Sequence, residues 1–203
     1  MKKILYSIVL ASLCIIISCV YNLALYRDLS TNLVRLHIIA NSNSDTDIQA
    51  KFDLRDNLLE SIGKKIDSNA TKKEIFSKIP EFEKEANLFL EKRNLPYRAK
   101  ISLGKTQIPR KEYNGIVLPK GSYTAIRVIL GEGGGENWWC VAYPPLCFTE
   151  DTTGHISKSG KKILAESLDK RSYKMITSDV TYKLKIVETA ENVIDKVKNI
   201  LGK

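Results

Sequence analysis

This chain has few residues of the types that most often act as nucleophiles, general bases or metal ligands. It has two histidines, His37 and His155, and four cysteines. A catalytic triad needs a histidine held near a nucleophile and a carboxylate, but His37 lies in an apolar stretch and His155 in a polar one. A Cys140–His155 thiol enzyme has no local support. A zinc site of Cys140, Cys147 and His155 lacks a fourth ligand. We therefore predict no catalytic residue, metal or cofactor, although paired carboxylates for glycoside cleavage remain open.

The glycine-rich run from Gly131 to Gly135 suggests a phosphate-binding loop but fits neither fingerprint. Glu136 stands where the dinucleotide pattern needs glycine, and Trp138-Trp139 follows where a helix should begin. A Lys-Ser/Thr pair, which a nucleotide-binding loop needs, is missing from the run. We interpret the run as the mobile turn of a β-hairpin.

Residues 1–26 are predicted to be a signal peptide or membrane anchor. Lys2 and Lys3 precede an apolar run from Ile4 to Val20, which is the layout of an export segment. Its length permits a membrane span. The end of the run, up to Cys19, is similar to a lipobox, so the alternatives are a cleaved leader, a retained anchor and a lipidated cysteine.

Two cysteines lie outside this segment, and export would place them where disulfides persist. The residues between Cys140 and Cys147 include Pro144-Pro145, which can turn the chain and bring the two thiols together. We favour a Cys140–Cys147 disulfide, with two buried free thiols as the alternative.

Aromatic residues crowd the same stretch. Asn137 is followed by Trp138, Trp139, Tyr143 and Phe148. Neighbouring residues on a strand point to opposite faces of a sheet, so we expect one tryptophan in the core and the other exposed. An exposed tryptophan suits a protein contact or stacking on a sugar ring, whereas two core aromatics are the structural alternative.

The elements that would position these residues are typical of an α+β domain. Apolar, β-branched runs predict strands at 33–40, 97–103, 123–130 and 138–143, the last two forming a hairpin. Ser44 with Asp47, and Thr71 with Glu74, predict helix starts. Further helices are expected at 161–170 and 187–201. The prediction is a single domain, residues 27–203, with a small mostly antiparallel sheet and helices on one face, preceded by an N-terminal apolar helix.

The net charge says little about partners. The chain carries 32 basic and 23 acidic residues, giving +9. The first 26 residues hold only two of these charges, so the remainder carries +7. The basic residues are scattered, which argues against nucleic acid. Membrane or cell-wall association would fit the surplus, as would solubility alone.

Two blocks of sequence resemble the stage II sporulation protein R family. One is RLHIIANSNSD, from Arg35 to Asp45, and the other runs from Leu118 to Phe148 and includes NWWCV and PPLCF. The motif positions taken from the resemblance are Arg35, His37, Asn41, Ser42, Asp45, Arg127, Pro144 and Pro145.

The resemblance implies a signalling protein and no enzyme. Family members are made in the forespore and exported across its membrane into the intermembrane space, secreted or anchored by the N-terminal segment. There they activate a membrane-embedded aspartic protease that processes the mother-cell sigma factor during endospore formation. The expected partner is this sigma-factor-processing protease, and the expected contact is the aromatic stretch around Trp138 and Trp139. The alternative is a septal cell-wall enzyme or glycan-binding module.

Overall fold

The computed structural model describes residues 2–66, 70–113, 115–144, 146 and 158–178. The helices are α1 (Lys2–Asn32), α2 (Asp45–Lys65), α3 (Lys72–Ser77), α4 (Ile79–Lys92), α5 (Lys158–Ser167) and α6 (Lys170–Thr177). The strands are β1 (Val34–Ile39), β2 (Ala99–Ile108), β3 (Lys111–Tyr113), β4 (Ile116–Leu118), β5 (Gly121–Leu130) and β6 (Asn137–Tyr143). The predicted helix at 187–201 lies outside the described residues.

The main sheet has four strands in the order β2-β5-β1-β6. Strand β1 runs parallel to β5 and antiparallel to β6, and β2 is antiparallel to β5. The α+β prediction with a small, mostly antiparallel sheet is therefore confirmed. The predicted β5–β6 hairpin is wrong, because β1 lies between these strands. All six residues of β1 are buried, which is typical of a central strand.

The first face of the sheet is covered by α2, α3 and α4, and the starts of α2 and α3 match the sequence prediction. The Ser44 side chain accepts a hydrogen bond from the backbone N–H of Asp47 at the start of α2. Thr71 and Glu74 form a complete capping box at α3, and Pro80 lies in the first turn of α4. These caps satisfy N–H groups that a helix start leaves unpaired.

The second face is also covered, so the prediction of helices on one face was incomplete. A separate apolar cluster joins this face to α1, α5, α6 and a small β3–β4 hairpin. Its fully buried members include Leu29 of α1, Tyr123 of β5, Leu164 of α5 and Ile176 of α6.

Helix α1 is 31 residues long and continuous, about 46 Å at 1.5 Å per residue. It is long and apolar enough to cross a membrane, a test that a signal sequence also passes. Its last three turns contact β5 and α6. The boundary expected at residue 26 therefore falls inside a helix that packs on the domain.

Candidate functional site

Of the aromatic residues singled out in the sequence, Trp138, Trp139 and Tyr143 lie on β6, the outermost strand of the sheet that the described residues form. Asn137 is exposed, whereas Trp138, Trp139 and Tyr143 are half-buried. We call these four residues the aromatic edge. Phe148, Cys147 and Pro145 lie outside the described residues, so their roles stay predictions.

The two tryptophans point to opposite faces, as the strand period requires. Trp138 packs against the first-face core, and the guanidinium of Arg55 in α2 lies 5.3 Å from its ring centroid. Trp139 packs against the second-face cluster and stacks on His37, with ring centroids 3.5 Å apart and an interplanar angle of 16°. Both are half-buried, which differs from the expected pair of one core and one exposed ring.

His37 supports the aromatic edge from β1. Its side chain is buried, and its Nε2 lies 2.6 Å from the Oδ1 atom of Asn137. Burial lowers the pKa of His37, and the neighbouring charge of Arg127 on β5 lowers it further, although the Asn137 contact acts in the opposite direction. The ring is thus mainly neutral near pH 7, which suits stacking and a hydrogen bond to an amide.

Arg35, also on β1, is fully buried and forms the centre of a second contact with β6. Its Nε donates to the backbone carbonyl of Cys140 at 2.8 Å, and its Nη2 donates to the hydroxyl of Tyr113 at 2.7 Å. The Tyr113 hydroxyl in turn donates to the carbonyl of Trp139 at 3.1 Å. The Tyr123 ring centroid lies 5.3 Å from the guanidinium. We call this group the Arg35 centre.

The Arg35 centre holds a cation in the core with neutral partners alone. Within the described part of the chain, Arg35 forms no ion pair, and its Nη1 has no hydrogen-bond partner. Burial raises the pKa of Tyr113, while the nearby guanidinium acts to lower it. Sequence reasoning marked Arg35 only as a motif position and missed Tyr113, because the β3–β4 hairpin that carries it gives a weak sequence signal.

Asp47 forms a second buried centre, at the start of α2. Its carboxylate accepts hydrogen bonds from Asn41 Nδ2 at 2.8 Å, from Ser42 Oγ at 2.6 Å and from the Tyr97 hydroxyl at 2.6 Å. Burial acts to raise the pKa of Asp47, but the hydrogen bonds outweigh it and the pKa is lowered. We call Asn41, Ser42, Asp47 and Tyr97 the Asp47 centre.

The Asp47 centre explains two motif positions, Asn41 and Ser42, as ligands of a buried carboxylate. Sequence reasoning took Asp47 only as part of a helix start and missed this second role. The motif residue Asp45 is exposed in the first turn of α2, where a negative charge favours the helix N-terminus.

The glycine-rich run passes over the end of β1 and links β5 to β6. Its N–H groups donate inward: Gly134 to the carbonyl of Asn41 and Gly135 to that of Ala40, both at 3.0 Å. Glu132 donates to the Asn41 side chain. These donors are therefore occupied by the protein, which removes the basis of the phosphate-loop interpretation.

Close packing requires glycine at two positions of this run. A Cβ at Gly135 would lie 2.2 Å from the carbonyl oxygen of Ser42, and one at Gly131 would lie 2.1 Å from Asn41 Oδ1. Gly131 also has a φ of 52°, which glycine adopts readily. The run thus packs closely against Asn41 and Ser42 and is not the turn of a β-hairpin. We call residues 131–135 the clasp.

Lys51 of α2 contacts Glu136, the residue that follows the clasp, from the first face of the sheet. Its side chain is 1% exposed, and its Nζ lies 3.4 Å from the backbone carbonyl and 3.7 Å from the carboxylate of Glu136. Burial lowers the pKa of Lys51, while Glu136 acts to raise it.

The cysteines divide as the sequence suggested. Cys140 is disulfide-bonded, whereas Cys14 and Cys19 in α1 are free and exposed. Since Cys147 lies outside the described residues, the Cys140–Cys147 pairing stays a prediction. Among the described residues, no group of three or more His, Cys, Asp or Glu side chains could hold a metal ion.

The two motif blocks meet in the structure, because β1 from the first block lies between β5 and β6 from the second. The family model for stage II sporulation protein R matches residues 30–153, which include β1 to β6. The chain belongs to this family. A curated member, stage II sporulation protein R of Bacillus subtilis (strain 168), is 36% identical over 163 residues, covering 78% of this chain and 71% of that protein. No solved structure matches the chain.

Membership of the stage II sporulation protein R family gives the protein a role in sporulation. The matched residues contain the Arg35 centre, the Asp47 centre and the aromatic edge. They leave out the apolar part of α1 and both α5 and α6. The arrangement is a strand fixed from both faces of the sheet and from its neighbour β1, which is suited to holding a rigid contact surface.

Proposed function

We propose that the protein is an exported ligand that activates a membrane-embedded aspartic protease, leading to removal of the sigma-factor pro-sequence during endospore formation. The sporulation family supports the process. The apolar helix α1 supports export, and the proposed route is across the forespore membrane into the intermembrane space. The protein would act there by binding, and not as an enzyme.

The observation that carries this proposal is the set of partly exposed aromatic side chains on β6, at Trp138, Trp139 and Tyr143. Their strand, with the sequence NWWCVAY, has no charged residue. The outer strand β2, in contrast, carries Lys100 and Lys105, both exposed. Half-buried tryptophan and tyrosine are typical anchors of protein interfaces.

A rigid surface loses little conformational freedom when it binds, which favours affinity. Trp138 is held by Arg55, Trp139 by His37, and the backbone of β6 by the Arg35 centre. Activation further requires that this surface bind the active form of the protease more tightly than the inactive form. A tenfold difference in affinity corresponds to about 1.4 kcal/mol.

The test is co-expression of the full chain with the candidate protease and its sigma-factor substrate. Trp138→Ala and Trp139→Ala should each lower substrate processing by about tenfold or more at equal protein levels. Leu103→Ala is the matched control, because Leu103 is a large apolar residue, 42% exposed, on the opposite edge strand, and it should process normally.

Full processing by both tryptophan variants would contradict the docking proposal. A binding assay on purified cell wall separates the alternative function. Retention that survives high salt and is lost in Trp139→Ala would indicate a glycan-binding module, since salt screens charge attraction but not ring stacking.

A further inference from the structure

One row of side chains crosses the second face of the main sheet from β2 to β6. In the strand register, Arg127 of β5 lies beside Ser102 on one side and beside His37 on the other. His37 in turn pairs with Trp139 and stacks on its ring. Directly paired residues of neighbouring strands point to the same face, and Trp139 packs against the second-face cluster. We call Ser102, Arg127, His37 and Trp139 the Arg127 row.

The Arg127 row is less completely covered than the row before it, which is centred on Arg35. Arg35 and its two paired neighbours, Ala125 and Val141, are at most 1% exposed. In the Arg127 row, only His37 is buried, and the three other side chains are half-buried. The Arg127 row therefore lies at the margin of the second-face cluster, where another molecule can reach it.

Arg127 carries a positive charge to which the described residues provide no counter-ion. Its Nε is shielded from water and has no hydrogen-bond partner. The ion pairs of arginine in the described part of the chain all involve other arginines. The next row toward the clasp adds an exposed lysine and no acidic residue; it consists of Lys100, Ile129, Ile39 and Asn137. These two rows together carry two positive charges and no negative one.

His37, next to Arg127, adds a second unpaired polar atom to the row. Its Nε2 faces the Oδ1 atom of Asn137, which is an acceptor, so Nε2 holds the proton of the neutral ring. The other ring nitrogen, Nδ1, is shielded from water and has no partner. Polar atoms buried without partners lower the stability of a folded protein. The free protein therefore pays for polar groups in this row that its own fold does not use, which is typical of a functional surface.

We propose that Arg127 binds a carboxylate of the protein partner, so that the partner segment that docks on the aromatic edge carries an aspartate or a glutamate. A guanidinium holds a carboxylate by two parallel hydrogen bonds, which no other side chain does. Partial burial strengthens this attraction relative to that of a fully exposed cation. The inference rests on the proposed function for the identity of the partner and adds the chemistry that the partner presents.

The sheet also sets the spacing between the two contacts. Arg127 and Trp139 are two strands apart, because β1 lies between β5 and β6. This separation is about 10 Å at the usual strand spacing, which about three residues of an extended chain can span. We therefore expect the acidic residue of the partner to lie about three residues from the residue that contacts Trp139.

The first test uses co-expression of the full chain with the candidate protease and its substrate. Arg127→Met keeps an apolar stem but removes the charge, and it should lower processing about tenfold or more at equal protein levels. Arg110→Glu is the control, because it reverses the charge of an exposed arginine outside the row, and it should process normally. Normal processing by Arg127→Met would overturn the inference.

Urea denaturation of the full chain in detergent separates a binding role from a folding role. Arg127→Met should unfold at the same urea concentration as the unmodified protein or at a higher one, because it removes a charge and an unpaired buried atom. A clearly lower midpoint would show that Arg127 supports the fold, and it would contradict the proposed role.

Charge reversal tests whether the carboxylate belongs to the protease. Arg127→Glu should abolish processing. Each aspartate and glutamate in the parts of the candidate protease that face the intermembrane space is then changed singly to lysine. At least one of these protease variants should raise processing with Arg127→Glu about tenfold or more. Failure of every one of them would indicate an anionic lipid or wall polymer instead, and would overturn the inference.

The outcomes distinguish this inference from the proposed function. Loss of processing in Trp138→Ala and Trp139→Ala, with normal processing by Arg127→Met, would leave the docking proposal in place and reject the carboxylate contact. Normal processing by both tryptophan variants, with loss in Arg127→Glu and rescue by a charge-reversed protease, would reject the tryptophan contacts and leave the carboxylate contact in place.

Discussion

The Arg35 and Asp47 centres hold opposite charges in the same way and differ in what surrounds them. Each charge is bound by neutral hydrogen-bonding groups, without an ion pair among the described residues. Arg35 is fully buried between two tyrosine rings, with Nη1 unpaired. Asp47 is 7% exposed, and both of its carboxylate oxygens accept hydrogen bonds.

Because of this difference, we assign the two centres different structural roles. The Arg35 centre joins β1, β6 and the β3–β4 hairpin, which are distant in sequence, so it is expected to govern the stability of the whole sheet. The Asp47 centre joins the end of β1 to α2 and supports the clasp through Asn41, so its influence should be more local. Removing the neutral hydrogen-bonding groups that hold a buried charge lowers the free energy of unfolding. Substitutions in the two centres therefore test this assignment.

Arg35→Ala should have the largest effect, because it opens a cavity and removes the buried hydrogen bonds to the carbonyl of Cys140 and to the Tyr113 hydroxyl. We expect the free energy of unfolding to fall by about 3–4 kcal/mol, measured by urea denaturation of the full chain in detergent. Arg110→Ala is the control, since Arg110 is exposed and forms only a 3.8 Å ion pair with Glu112; its effect should stay within about 0.5 kcal/mol. A loss below about 1 kcal/mol for Arg35→Ala would remove the central role assigned to this residue.

Asp47→Asn should have the next largest effect, about 2–3 kcal/mol, because an amide N–H₂ would replace one accepting oxygen and face one or two of the three donors. Asp45→Asn, at the exposed start of the same helix, is the matched control and should cost less than about 1 kcal/mol.

The same substitution tests the pH dependence. The folded pKa of Asp47 lies below its ordinary value of 3.8, so its stabilisation is complete above that value. It is lost as pH falls through the folded pKa. Urea titrations between pH 6 and pH 2 should show less acid destabilisation in Asp47→Asn than in the unmodified protein. Identical acid profiles would contradict the lowered pKa.

The smallest effects come from removing one hydroxyl in each centre. Tyr113→Phe should cost about 1–2 kcal/mol, because it takes a partner from a fully buried cation. Tyr97→Phe should cost about 0.5–1 kcal/mol, because Tyr97 is half-buried and water can replace its hydroxyl. Urea denaturation of both variants gives the ranking directly. The reverse order would show that the charge of Asp47 depends more on its tyrosine hydroxyl than the charge of Arg35 does.

Local features of this fold were predictable from sequence. The starts of α2 and α3 follow from Ser44 with Asp47 and from Thr71 with Glu74, where cap and partner are three residues apart. Strand β1 follows from a short, mainly apolar run that also holds Arg35 and His37, and the opposite directions of Trp138 and Trp139 follow from the strand period.

Features that depend on distant residues were not predictable. The β5–β6 hairpin seemed natural because a glycine-rich turn joins the two strands, and nothing local shows that β1 inserts between them. Asp47 gave only a cap signal, since its ligand Tyr97 is 50 residues away. Arg35 gave no signal of its partners, because Tyr113 and the carbonyl of Cys140 are 78 and 105 residues away.

The central position of β1 has a consequence for the order of events in the proposed export. The strand follows α1 directly, so it would reach the far side of the membrane before the other strands. Its neighbours come much later in the chain: Val34 pairs with Thr124 and with Tyr143. During translocation, six consecutive strand residues would therefore wait without their partners, and non-local pairing of this kind is slow. The speed at which the rest of the chain emerges would then limit how soon the sheet can close.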